Sequence, residues 1–122
     1  MTGRLAASLA VLTLLGAGPG DTVASIPDLL ARRPDGVRVD LTGIVAIAQP
    51  ATSEDGRDYE ILGLCQERCI TVYVARHLRL NEGDAVRVSG TYRQEVRVGP
   101  RTFENEVVAT TVQPIPIPKT RS

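Results

Sequence analysis

At 122 residues, with 43% hydrophobic and 23% charged content, the chain has material for one compact core and too little for two domains. Fourteen basic residues balance fourteen acidic ones, which excludes the overall positive field of a protein that grips nucleic-acid phosphates through net charge. Three Tyr, one Phe and no Trp exclude a surface built from many base-stacking rings.

The chain opens on an export pattern: Arg4 supplies a positive charge, and Leu5 to Ala17 is an uncharged run rich in Ala, Leu and Val. The run is too short to span a bilayer comfortably, so it predicts a signal peptide rather than an anchor. Gly16 to Gly20 breaks it, and the small residues around Thr22-Val23-Ala24 suit cleavage before Ser25, which gives a signal peptide over 1–24. Cleavage nearer Ala17 or Gly18 is the other option. No Cys follows the apolar run, which closes the lipoprotein route. The expected location is the periplasm or the extracellular space, with no membrane span after cleavage.

Ser25 to Arg33 predicts a short helix, with Ser25 as cap, Pro27 in the first turn, Asp28 at the positive end of the dipole and arginines at the other. Pro34-Asp35-Gly36 ends it, so this unit occupies 25–36. From Val37 the period becomes two, through Val39, Leu41, Gly43, Val45 and Ile47; this predicts a long strand with a bulge or bend at Gly43. Gln49 to Asp58 is polar and turn-rich and reads as a loop. Tyr59–Cys65 and Cys69–Val74, separated by Gln66-Glu67-Arg68, predict a hairpin. Ala75 to Asn81 predicts a helical turn. Gly83-Asp84 starts a strand that runs to Val98, Gly99-Pro100 turns it back, and Thr102 to Val112 forms the last strand. The barrel domain is thus 37–113, followed over 114–122 by an extended Pro-rich tail.

Leu80-x-x-Gly83-Asp84-x-Val86-x-Val88-x-Gly90, coming after a hairpin and a helical turn, resembles the start of the fourth strand in small exported bacterial OB-fold (oligonucleotide/oligosaccharide-binding) proteins. Val39-x-Leu41-Thr42-Gly43-Ile44-Val45, behind the opening helix, resembles their first strand. The likeness spans about Ser25 to Pro114 and rests on structural motifs. It implies an all-β fold, a five-stranded Greek-key barrel of the OB type with one short helix before the first strand and another between strands 3 and 4. It also implies that the outer surface of strands 2 and 3 is the binding face. The haem chaperones of cytochrome c maturation share this layout, but Thr110 to Pro118 has no His to attach a haem.

With Cys65 opposite Cys69, the hairpin register continues to Gly63 with Thr71, Ile61 with Tyr73 and Tyr59 with Ala75. Leu62, Leu64, Ile70, Val72 and Val74 then fill the barrel, while Tyr59, Ile61, Thr71 and Tyr73 face outward. The two tyrosines either form a stacking patch for a sugar, base or partner side chain, or cover a seam of the barrel. Arg93, Arg97 and Arg101 on the second hairpin are candidates for anion contact, but the register sets Arg93 opposite Glu106 and Arg97 diagonal to Glu104. Cross-strand ion pairs would neutralise much of that patch.

An even cysteine count in an exported domain predicts a Cys65–Cys69 disulfide; a structural zinc site wants four ligands, and only His77 lies nearby. The single His, and the lack of a nucleophile elbow, phosphate loop or dinucleotide fingerprint, argue against an enzyme. No cofactor or metal is expected. The sequence therefore predicts an exported, non-enzymatic binding module of the cell envelope recognising a protein, peptide or glycan. Single-stranded nucleic-acid binding through the same tyrosines and Arg93, Arg97 and Arg101 is the alternative.

Overall fold

A computed structural model describes residues 22–116. The export run and the end of the tail fall outside the described residues. Helix α1 (Ile26–Arg32) forms where expected: the Ser25 hydroxyl accepts from the Asp28 N–H at 3.2 Å, and Arg33, in the left-handed region at φ 49°, donates its N–H to Leu29 at 2.8 Å. Its inward residues Ile26 and Leu29 are fully buried. Each such side chain contributes on the order of 1.5–3 kcal/mol through removal from water.

Five strands follow: β1 (Arg38–Thr52), β2 (Asp58–Cys65), β3 (Cys69–Val74), β4 (Ala85–Val98) and β5 (Arg101–Pro114). They close a barrel in the order β1-β2-β3-β5-β4, with β3 and β5 parallel and the other neighbours antiparallel. Strand β1 closes the cylinder by serving two partners. Arg38–Ile44 pairs with β4, and Ile44–Thr52 pairs with β2 after a slip between Val45 and Ile47. The slip lies just past Gly43, where the bulge or bend was predicted; Gly43 itself pairs in regular register with Val86. A Cβ on Gly43 would sit 2.7 Å from the Cys65 carbonyl oxygen, so only glycine lets the strands approach there.

The interior carries Leu41, Val45, Leu62, Leu64, Val72, Val86 and Val88, all fully buried. Alternation on β2 and β3 placed Leu62, Leu64, Ile70, Val72 and Val74 correctly. The register of that hairpin also holds from Cys65↔Cys69 to Ile61↔Tyr73, and ends at Glu60↔Val74, so the expected Tyr59–Ala75 pair is not formed.

Three further expectations are corrected. Gln49 to Thr52 is strand, not loop, because Pro50 lies in the part of β1 that has left β4 and needs no ladder N–H on that side. The turn is confined to residues 53–57. Pro114 likewise belongs to β5, opposite Val86, and Ile115 donates its N–H to Ala85, so the tail begins later than predicted.

The helix expected between the third and fourth strands is absent, and the helix of the fold precedes the first strand. Residues 75–84 instead link β3 to β4 in irregular conformation. Their polar groups are taken by the barrel: the buried Glu60 carboxylate accepts from the Leu78 N–H at 2.7 Å, His77 Nε2 lies 2.8 Å from the Ala51 carbonyl, and Gly83 donates to Val45. With these partners an i to i−4 ladder is not needed, and Leu78 and Leu80 pack against the core.

Candidate functional site

Two hairpins rise beside the outer face of β2 and β3. The first turn, 53–57, is held by its own polar groups. Ser53 N–H donates to the Arg57 carbonyl at 2.9 Å, Gly56 takes a positive φ of 86°, and the Ser53 hydroxyl bonds Asp55. That hydroxyl, together with the Arg57 guanidinium 3.2 Å away, holds the Asp55 carboxyl below the usual carboxylate range. The second turn is Gly99-Pro100, closing Val98 against Arg101 as predicted. Gly99 supplies φ 61° and proline a fixed negative φ, the combination a two-residue turn between twisted strands prefers.

Between the two turns lies an open cleft of about 570 Å³. Thr52, Glu54, Asp55 and Arg57 form one wall, Gly99, Pro100 and Arg101 the other, and Tyr59 and Tyr73 also line it. The tyrosine rings stack at 5.6 Å between centroids and 25° between planes. Each is half-buried, so the pair offers a preformed aromatic surface with little rotamer freedom left to lose. A second open cleft of about 470 Å³ shares Tyr59 and Arg101 with the first and continues to Pro50, Ile61 and Phe103.

The structure thus brings together Tyr59, Tyr73 and Arg101, with Ile61 in the adjoining cleft. Thr71, Arg93 and Arg97 are not among the lining residues of either. The arginines do not form one anion-gripping group. Nor are they neutralised as expected: the ion pairs among the described residues are Arg57–Asp55, His77–Asp58 and Arg87–Asp40, and none involves Arg93, Arg97 or Arg101. The registers Arg93↔Glu106 and Glu95↔Glu104 do hold. The pairing fails because Glu106 is fully buried, with both carboxylate oxygens lacking a hydrogen-bond partner, while Arg93 is exposed. Burial alone pushes the Glu106 carboxyl up to about 7.

The cause lies one residue earlier. Asn105 adopts φ 55°, which breaks the period-two alternation, so the successive residues Glu106 and Val107 are both fully buried. The Asn105 side-chain oxygen accepts from the Tyr92 hydroxyl and from Arg33 Nε at 3.0 Å, which ties β5 to the interior of the barrel and to the end of α1. Sequence reasoning missed Glu54, Arg57 and Phe103 as cleft residues, because their places follow from how the two hairpins lean toward each other. The Ser53-x-Asp55-Gly56 turn was the one local signal available.

At the opposite end of the hairpin, the Sγ atoms of Cys65 and Cys69 are bonded, as expected. Between them Gln66 gathers the N-terminal segment: its Oε1 accepts from the Ile26 N–H at 2.9 Å, and its Nε2 donates to the carbonyls of Ala24 at 3.2 Å and Thr42 at 3.0 Å. His77, exposed and bonded to Ala51, sits outside any helical turn. Among the described residues no group of three or more His, Cys, Asp and Glu gathers as metal ligands.

No protein-family model matches the chain, and no curated protein matches it.

Proposed function

We propose that the protein is an exported, non-enzymatic binding module of the cell envelope, built on an OB-type Greek-key barrel, that holds a protein, peptide or glycan in the cleft floored by Tyr59 and Tyr73. The single observation that carries this reading is the meeting of a stacked tyrosine pair with two turns that wall it on either side. A pair that merely sealed the barrel would have no such opening above it. The strand order β1-β2-β3-β5-β4 with a parallel β3–β5 closure supports the OB reading, in which loops after the first and fourth strands flank the binding face. The disulfide is compatible with an oxidising compartment.

The bonds of Val23 bear on processing. Its N–H donates to Arg38 at 2.9 Å, its carbonyl accepts from Asp40 at 3.0 Å, and Gln66 holds Ala24. Signal cleavage upstream of Thr22, nearer Ala17 or Gly18, keeps these contacts in the mature chain.

The charges in the cleft disfavour the nucleic-acid alternative. Arg57 is engaged by Asp55, so among the described residues lining the cleft Arg101 is the cation without an ion pair, with Glu54 and Asp55 across from it. Peptide, glycan and oligonucleotide arrays probed with the wild type and with a Tyr59→Ala/Tyr73→Ala variant test the reading. Binding to a peptide or glycan that disappears in a variant of unchanged circular dichroism is expected. Binding to oligonucleotides alone, falling steeply with salt, or ligand binding indifferent to both tyrosines, overturns it.

A further inference from the structure

The cleft borders a strand edge that the barrel does not use. Strand β5 runs from Arg101, yet its pairing with β3 is confined to Glu106–Val108 opposite Thr71–Tyr73. From Arg101 to Glu104 the strand pairs only with β4, so among the described residues its other edge has no strand partner there; Asn105, at φ 55° and bonded to Tyr92 and Arg33, ends the extended stretch. Unpaired N–H and C=O groups along such an edge are a template for another extended chain.

Side chains on the same stretch report what that chain should carry. Arg101 and Phe103 are two residues apart and line the same cleft, so they share one face of β5. Phe103 stands there with Ile61 and Pro50, an apolar spot suited to an apolar side chain. Among the described residues Arg101 has no ion-pair partner. An added strand keeps the two-residue repeat, so a side chain opposite Phe103 and the next on the same face meet an apolar pocket and a free guanidinium in turn.

We propose that the occupant of the cleft is an extended peptide that pairs with the free β5 edge at Arg101–Glu104 and sets an apolar and an acidic side chain, two residues apart, against Phe103 and Arg101. This rests on the binding reading above and narrows it to one class of ligand. Charge complementarity orients the peptide. Its acidic residue lies at Arg101, and a basic residue further along meets Glu54 on the facing turn, which has no ion-pair partner among the described residues.

A random heptapeptide library displayed on phage and selected on the full chain tests this, with a glycan array run in parallel. Enrichment of sequences with an apolar and an acidic residue two positions apart is expected. A synthetic peptide of the selected sequence should lose about tenfold or more in affinity on N-methylation at alternate backbone positions, since each methyl removes a ladder donor. Arg101→Glu should lose the parent peptide and accept one in which the acidic residue is replaced by lysine. Because Arg101 is exposed on the hairpin, this charge exchange leaves the barrel intact. Selected peptides that tolerate every N-methylation, or that ignore the exchange at Arg101, overturn the proposal. Binding to glycans alone at Tyr59 and Tyr73 also overturns it, while leaving the broader binding reading in place. Failure of every class of ligand overturns both.

Discussion

Replacing Glu106 with glutamine isolates a carboxylate buried without partners. The folded-state value of about 7 lies above an ordinary carboxyl at 4.5, so between these limits the native protein binds more protons than the unfolded chain. Stability is therefore greatest below about pH 4.5 as far as this group is concerned, and declines as pH rises toward 7, where the native form must ionise in a dry site. A displacement of that size corresponds to about 3 kcal/mol, each pKa unit being about 1.36 kcal/mol. Glu106→Gln keeps the shape and removes the charge. Wild type and variant should have similar stability at pH 5, and at pH 8 the variant should be more stable by an amount approaching 3 kcal/mol. Urea denaturation followed by far-ultraviolet circular dichroism at pH 5, 6, 7 and 8 measures both, provided the slope with denaturant stays constant. A wild type whose stability is flat or rises across this range relative to the variant would refute the assignment of a buried, unpaired carboxyl.

Gln66→Ala removes the two hydrogen bonds that hold α1 and Ala24 to the barrel and a third to Thr42 of β1; a loss of about 1–3 kcal/mol is expected, with faster amide exchange in residues 23–33 than elsewhere. Removing the disulfide with Cys65→Ser/Cys69→Ser opens a short loop, so the loss in thermal or urea stability should be about 2 kcal/mol at most and the barrel should persist. Gly90→Ala puts a Cβ 2.2 Å from the Val108 carbonyl oxygen at the slip between β4 and β5; a loss of about 3 kcal/mol or more is expected, read as a lowered unfolding midpoint. On the proposal of export, intact mass of the mature protein should place its first residue at or before Thr22, because Val23 and Ala24 are bonded into the fold.

Period-two alternation made much of the barrel legible. On β2 and β3 one residue in two is apolar, and the two cysteines set the register, so both the interior side chains and the outward tyrosines follow. Legibility fails where tertiary contacts replace local rules. Ala75 to Asn81 has the composition of a helical turn, but Glu60, eighteen positions before Leu78, takes the Leu78 N–H that a helix would have used. Glu106 reads as a solvated member of a charged ribbon, and only the backbone conformation of Asn105 turns it from water. The tyrosine pair was foreseeable from the hairpin register. The walls of the cleft were not, since they depend on the approach of two turns more than forty residues apart in the chain.

The account stands most directly on where a ligand makes contact. Amide and side-chain chemical shifts of the isotopically labelled protein, followed by NMR during titration with a peptide selected on it, read that location residue by residue. The expected changes fall on residues 52–57, on Tyr59 and Tyr73, on the Gly99-Pro100 turn and on β5 from Arg101 through Glu104, with α1 and Cys65–Cys69 unmoved. Changes centred on α1 and the disulfide hairpin, with the tyrosines silent, would contradict it.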